Sequence, residues 1–232
     1  MFSDHGNSHV QNRRIDLDGF LARNGFRVES AIRNAESVVI PAFGLVGAIP
    51  VYCQAQNTAR LARLLASHEA TDFAAFWDGG SVQIRSARGS AAITAKDSGR
   101  LLKYAPEDGD PLQLNAAMQS MVEHGQLDAG GFGSTSNWFA ATAEHEYPNA
   151  VNAVYEGVTN HVINRANVVV SLKDGYHYGS TFFDWLVTMR STHGNLRRTS
   201  MTGFYMRNGP MPAPVLPARE LLRNFRSPSV KE

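Results

Sequence analysis

Two short motifs near opposite ends of the chain combine residue types that bind metal ions. Asp4-His5-Gly6 follows an apolar stub, and Thr192-His193-Gly194 appears 188 positions after the first histidine. An adjacent carboxylate and imidazole can both face one cation at the end of a strand, and glycine lets the backbone turn without a side chain in the site. Each tripeptide alone is more typical of a polar turn. The metal interpretation therefore depends on whether the fold brings the two ends together.

Other side chains with suitable chemistry have a simpler structural interpretation. His177 lies between two tyrosines and could reach a phosphate group or a metal ligand, although this setting favours loop packing. Asn195 and Arg197 follow the second motif, where a solvated turn is the usual case. Cys53 lies in an apolar run and is predicted to be a small core residue rather than a nucleophile.

The paired motifs resemble the alkaline phosphatase superfamily, in its type I phosphodiesterase and nucleotide pyrophosphatase branch. In that family a strand ends in Ser-Asp-His-Gly, as residues 3–6 do here, and a later Thr-His-Gly returns the last metal-binding histidine. The similarity extends to Asp110-Pro111-Leu112, to residues 168–176 and to residues 192–206. The resemblance covers nearly the whole chain, but only the later part of the family's fold.

The resemblance implies a site for two divalent metal ions, with Asp4 and His5 at one ion and His193 at its neighbour. Zinc suits carboxylate and imidazole ligands, and manganese and iron stay open as alternatives. Two such ions about 4 Å apart hold the attacking and leaving oxygens of an in-line displacement at phosphorus. The family's Thr or Ser nucleophile belongs to an earlier segment, so no catalytic residue is assigned, and neither Ser3 nor Thr192 matches its position.

The expected function is therefore that of the C-terminal portion of a metal-dependent phosphoric-ester hydrolase, acting on a small-molecule phosphoric ester. We expect weak zinc binding and little activity from this chain alone, since the nucleophile and about half of the ligands are missing. The alternative is a catalytically inactive truncated remnant or a non-catalytic binding module. The first interpretation implies a missing N-terminal half as a partner, with a homo-oligomer as the other possibility.

Composition excludes several classes of protein. The 232 residues are 43% hydrophobic and 19% charged, which is typical of a globular chain with a sizeable core. A net charge of +1 without large basic clusters argues against a nucleic-acid-binding surface. The single cysteine gives no sign of an oxidising compartment, and no signal peptide or membrane-spanning stretch is evident. We expect this chain, as it stands, to be soluble and cytoplasmic. The sequence does not predict the compartment of the native protein.

The elements that must position the motifs indicate an α/β protein. The continuous valines of residues 167–172 predict a parallel strand buried on both faces, and the polar loop after it predicts a ligand-binding edge. Strands separated by turn residues between about Ala48 and Tyr104 predict a separate antiparallel sheet. With the resemblance, this gives a partial alkaline phosphatase-like α/β/α sandwich from residues 1–44 and 105–232, with a small inserted antiparallel α+β subdomain at 45–104.

Three further expectations concern connections and edges. Residues 101–110 contain turn residues and are predicted to be a linker, and residues 201–206 are predicted to form a strand. The proline-rich segment from residue 210 to residue 217 is predicted to lead into a short tail helix and a disordered end. If strands of the sandwich are missing, the chain exposes an apolar sheet edge and is prone to aggregation.

Overall fold

The structure is a computed structural model that describes residues 1–41, 44–160, 162–209 and 213–220. The strands in these ranges are β1 (Arg13–Arg14), β2 (Arg27–Val28), β3 (Ser37–Val39), β4 (Ala48–Cys53), β5 (Thr71–Asp78), β6 (Ser81–Ser86), β7 (Gly89–Lys96), β8 (Leu101–Gly109), β9 (Gly133–Ser134), β10 (Val168–Leu172) and β11 (Tyr176–His177). The helices are α1 (Leu17–Arg23), α2 (Thr58–Ala66), α3 (Asn115–Glu123), α4 (Thr135–Thr142), α5 (Ala150–Thr159), α6 (Thr181–Leu186) and α7 (Arg198–Met201).

A nine-stranded sheet forms the centre of the fold. Its strand order is β2-β3-β4-β10-β5-β6-β7-β8-β9. The β2–β3 pair is parallel, and every other neighbouring pair in this sheet is antiparallel. Strands β1 and β11 form a separate parallel pair. The chain therefore has a mixed α/β fold, which confirms the predicted class at that level.

Helices cover both faces of this sheet. Along β5, Ala74 and Phe76 point into a core shared with α1 and α2, while Phe73 and Ala75 point into a second core shared with α3, α4 and α5. The alternation follows from the pleat, which sends successive side chains to opposite faces. Because both faces of β5 are buried, its central residues are apolar at successive positions instead of alternating with polar residues.

The direction predicted for the valine-rich strand is wrong. Strand β10 runs antiparallel to both of its neighbours, β4 and β5. Val168 and Val170 pack in the first core, and Val169 packs against the second. The apolar run reports burial on both faces, and burial does not fix the direction of the neighbouring strands.

The predicted separate sheet is also not separate. Residues 48–104 do form the expected antiparallel strands, but β10 lies between β4 and β5, so these strands share one sheet with a strand from much later in the chain. The division into residues 1–44 with 105–232 and an inserted 45–104 unit stays a prediction about domain organisation.

The segment predicted as a linker is strand β8. Leu102 and Tyr104 are buried in the second core, and the Tyr104 hydroxyl donates a 2.7 Å hydrogen bond to Asp110 Oδ1. The turn residues that suggested a linker lie at the far end of the strand, where Gly109 pairs with Gly89. The alternating buried residues Leu102 and Tyr104 therefore predict the strand better than the turn residues after them predict a linker.

Three other expectations fall near the C-terminus or the sheet edges. Residues 201–206 are not a continuous strand: α7 ends at Met201, and Tyr205 forms a single bridge with Phe2. The terminal strands of the described sheet, β2 and β9, have two residues each, so no long apolar edge is exposed there. The predicted tail beyond residue 220 lies outside the described residues. Within the described ranges, no helix is long and apolar enough to cross a membrane.

Candidate metal centre

The N-terminal segment lies antiparallel to the segment that follows residue 191. Ser8 and Thr192 form a bridge, with the Ser8 N–H donating to the Thr192 carbonyl at 2.8 Å. Further along, the Gly6 N–H donates to the Ser200 carbonyl at 2.9 Å, and the Ser3 N–H to the Phe204 carbonyl at 3.0 Å. These backbone bonds align the two predicted motifs side by side.

Two glycines make this alignment possible through close approach. A Cβ atom added to Gly6 would collide with the carbonyl oxygens of Thr199 and Thr202. A Cβ atom on Gly203 would collide with the Ser3 hydroxyl, which accepts a 2.9 Å hydrogen bond from the Phe204 N–H. The glycine of the first motif is therefore required by the neighbouring backbone, in addition to the freedom to turn that its sequence suggested.

The two motif histidines are in direct contact. The rings of His5 and His193 stack with centroids 3.8 Å apart and planes 16° from parallel. The prediction that residues separated by 188 positions approach each other is confirmed for this pair. Asp4 is adjacent, with Oδ2 at 3.5 Å from His5 Nε2, and its side chain is 82% exposed.

Asp4 and His5 have the geometry of two ligands to one ion. Ligand atoms bonded to a tetrahedral zinc at about 2.0–2.2 Å are roughly 3.3 Å apart, close to the 3.5 Å between Asp4 Oδ2 and His5 Nε2. His5 Nδ1 lies 2.7 Å from the Gly6 carbonyl, which can only accept, so Nδ1 carries the proton. This leaves Nε2 as the free ligand atom, in the arrangement found for metal-binding histidines.

The ring of His193 cannot share one ion position with the ring of His5 in this arrangement. Imidazole lone pairs lie in the ring plane, and two nearly parallel planes 3.8 Å apart do not meet at one position. Partial burial, followed by the neighbouring His5, lowers the pKa of His193, while Asp4 opposes this change. A lowered pKa favours the neutral imidazole, which is the form that binds metal ions. Across the described part of the chain, no three or more His, Cys, Asp or Glu side chains converge on a single ion position.

The loop that carries His193 is anchored by Arg197. Its guanidinium donates to both carboxylate oxygens of the buried Asp72, at 3.2 and 3.1 Å, and to Glu146 Oε1 at 2.6 Å. Arg88 and the Tyr147 hydroxyl also donate to Asp72 Oδ1, at 2.8 and 3.0 Å. Arg197, expected to be solvated, is thus part of a partly buried ion cluster around Asp72 that fixes the loop to the start of β5.

Asp174 provides a second anchor for this loop. Asn195 Nδ2 donates to Asp174 Oδ1 at 2.8 Å, and the Thr199 hydroxyl donates to Asp174 Oδ2 at 3.1 Å. On the other side, the Gly47 N–H donates to the His193 carbonyl at 2.8 Å. In the polar loop after β10, which is predicted to be a ligand-binding edge, Asp174 therefore anchors the loop that carries His193.

Sequence reasoning missed Asp72, Glu146 and Gly47. Asp72 stands beside a threonine at the start of a strand, where a carboxylate is usually solvated, and Glu146 lies in a polar break between helices. Nothing in the local pattern marks either as the partner of an arginine 125 or 51 positions away. Only the tertiary structure shows that these residues contact the loop that carries His193.

His177, considered above as a phosphate or metal-shell residue, is buried against α6. Its Nε2 lies 2.8 Å from Asp184 Oδ1, and within the described ranges its Nδ1 has no hydrogen-bond partner. The structure thus gives it a contact with a helix rather than with Asp4, His5 or His193. Cys53 is buried in the first core, as predicted, and burial raises the pKa of its thiol.

Comparison of this chain with protein-family models, with curated proteins and with solved structures finds no match.

Proposed function

We propose that this chain carries the metal-binding part of a metal-dependent phosphoric-ester hydrolase, similar to the type I phosphodiesterase and nucleotide pyrophosphatase branch of the alkaline phosphatase superfamily. The proposed ligands are Asp4 and His5 for one ion and His193 for its neighbour, with zinc as the metal. The proposed architecture is the corresponding part of that family's α/β/α sandwich. A small-molecule phosphoric ester is the proposed substrate.

One observation carries the proposal, namely the contact between the two motifs. His5 stacks on His193, and Asp4 lies beside His5 at the separation expected for two ligands of one ion. A shared metal site requires side chains from both motifs to meet, and His5 and His193 meet across 188 positions. The backbone bonds from residues 3, 6 and 8 to residues 192–204 keep them together.

Each residue at this site has a different proposed role. Asp4 contributes negative charge, His5 offers Nε2 because its Nδ1 is held by the Gly6 carbonyl, and His193 offers a neutral imidazole. Arg197 and Asp72 hold the His193 loop in place. When bound, two zinc ions would stabilise the charge on the attacking and leaving oxygens of a displacement at phosphorus. No residue of this chain is proposed as the nucleophile.

Zinc titration by calorimetry tests the ligand assignment. We expect weak binding, because zinc in catalytic sites usually has at least three protein ligands and these residues offer each ion one or two. His5→Ala and His193→Ala should each weaken binding at least about 10-fold. His9→Ala is the matched control, since His9 is an exposed histidine four residues from His5, and it should leave the zinc affinity unchanged.

Equal zinc affinity in the His5→Ala, His193→Ala and unchanged proteins would contradict the metal centre. It would favour the alternative of an inactive remnant or a non-catalytic binding module. Hydrolysis of an aryl phosphodiester by the chain alone should stay near background. If the coding frame upstream of Met1 contains an apolar strand, an Asp and a Thr or Ser before a helix, including that segment should restore activity, and His193→Ala should abolish the gain.

A further inference from the structure

A cavity of about 390 Å³ opens beside Asp4. Its walls come from the N-terminal segment, the helical region from α4 to α5, residues 201–205 and residues 213–219. Ser3 and Asp4 on one wall and residues 201–205 on another belong to the two segments that bring the motifs together. The cavity therefore adjoins the candidate metal centre, with Asp4 common to both.

The lining of this cavity is mainly apolar. Its apolar side chains include Phe139, Ala143, Met201, Phe204, Val215 and Leu216. Ligand sites typically have volumes of about 300–1,000 Å³ and combine apolar walls with a few polar groups. The volume and the lining match a site for a small organic group.

The charges in the lining argue against a polyanionic occupant. Asp4 and Glu156 contribute carboxylates, and among the described lining residues Arg219 is the single basic side chain. Arg219 Nη1 already lies 3.7 Å from Glu156 Oε1. A further phosphate group entering this cavity would find no unpaired cation among the described lining residues, because Arg219 is paired with Glu156, so its binding would be unfavourable.

We propose that this cavity binds an uncharged apolar or aromatic substituent of the phosphoric ester, while the phosphoryl group lies at the metal centre. This inference rests on the proposed function, because it names the substrate class of the same site. It selects aryl and alkyl phosphoric esters over nucleoside polyphosphates, whose additional phosphates the lining does not accommodate.

Binding measurements with three probes test the cavity. In the presence of saturating zinc, phenylphosphonate should bind about 10- to 30-fold more tightly than methylphosphonate, because the ring buries apolar surface that the methyl group does not. Benzyl alcohol carries an aryl group without a charge, so it should bind the protein without zinc and shift the NMR signals of Phe139 and Phe204.

Filling the cavity provides the matched comparison. Ala143→Trp should remove both the preference for phenylphosphonate and the binding of benzyl alcohol. Ala140→Trp places the same side chain at an exposed position of α4 and should change neither. If Ala143→Trp proves unfolded by circular dichroism, Val215→Ser removes part of the apolar wall without adding bulk, and it should lower the preference about 2- to 5-fold.

The outcomes separate this inference from the proposed function. Equal affinity for phenylphosphonate and methylphosphonate, with zinc strengthening both, would overturn the cavity proposal and leave the metal centre intact. Benzyl alcohol binding that Ala143→Trp abolishes, in a protein whose phosphonate affinity does not depend on zinc, would support the cavity and contradict the metal centre.

Discussion

Asp72 lies at the centre of the ion cluster that fixes the loop carrying His193. Its side chain is fully buried, and two guanidinium groups and a phenol donate to it. A buried carboxylate is costly unless it is paired and hydrogen-bonded, and both conditions are met here. The position of the candidate ligand thus depends on a carboxylate at the start of a strand in the central sheet.

Replacing Arg197 by methionine should lower the free energy of unfolding by about 2 kcal/mol. Loss of the sole partner of a buried ion costs about 3–5 kcal/mol, and Arg88 remains to pair with Asp72. Urea denaturation measures the change. Arg198→Met is the control: Arg198 donates to the Glu144 carbonyl at an exposed site, and its loss should cost less than about 0.5 kcal/mol. Equal effects of the two substitutions would show that the Asp72 cluster adds no stability.

Two glycine-to-alanine substitutions should change stability in opposite directions. Gly6→Ala pushes a Cβ atom into the backbone oxygens of residues 199 and 202, so the N-terminal segment should detach and stability should fall. Gly157 lies exposed within α5, where an added Cβ atom meets nothing within 4 Å, so Gly157→Ala should stabilise the protein by about 0.5–1 kcal/mol. Thermal unfolding of both variants checks the signs. A neutral Gly6→Ala would mean that this close approach is not maintained in solution.

At the scale of elements, helix α6 is joined to the rest of the described fold by a polar contact with a buried histidine. Its large side chains are mostly exposed, including Trp185 at 79%, while Asp184 lies 2.8 Å from the buried His177. A six-residue helix is too short to be stable alone, so contacts with the rest of the fold must hold it.

Asp184→Ala should therefore release α6. The substitution leaves the buried Nε2 of His177 without its partner, and an unsatisfied buried group costs about 1–3 kcal/mol. Hydrogen exchange of the amides in residues 181–187 should become faster, and the urea midpoint should fall. Asp78→Ala, at an exposed position in β5, is the control for the loss of one carboxylate. Unchanged exchange in Asp184→Ala would show that other contacts hold the helix.

Sequence reasoning was accurate where one element carries its own signal. The antiparallel strands predicted between about Ala48 and Tyr104 follow from local alternation and turn residues, and the structure has β4, β5, β6 and β7 there. Strand pairing was less accessible, since burial predicted β10 but not its antiparallel neighbours. The meeting of Asp4 and His5 with His193 was expected only through a family resemblance, because no local pattern links residues so distant. The Asp72 cluster had no signal at all, since its members lie in four separate segments.

At the scale of the whole molecule, exposed apolar side chains cluster on and next to helix α6. The α6 apolar surface comprises Phe182, Phe183, Trp185, Leu186 and Val187, all about half exposed or more. Met1, Phe2, Phe204 and Met206 are also exposed, near the candidate metal centre. Contiguous exposed apolar surface favours association.

We expect the purified chain to self-associate through the α6 apolar surface rather than through an exposed sheet edge. Replacing Phe182 and Trp185 by serine should reduce the apparent mass in light scattering, because it removes the two most exposed aromatic rings of α6. Trp77→Ser removes one exposed ring from β5 and should have little effect. A chain that stays monomeric and unfolds cooperatively above ~60 °C, at the upper end for mesophilic domains, would contradict the prediction.

The insertion of β10 between β4 and β5 also sets a time order for synthesis of the protein. Strand β4 is synthesised about 115 residues before β10 and strand β5 about 90 residues before it, so neither can pair with β10 until then. Non-local pairing of this kind slows folding, since the intervening chain must close as a loop before the contacts form. The nascent chain therefore carries two strand edges without their native partner from about residue 78 until residue 172 is synthesised, and a chaperone that shields such edges would act in this interval.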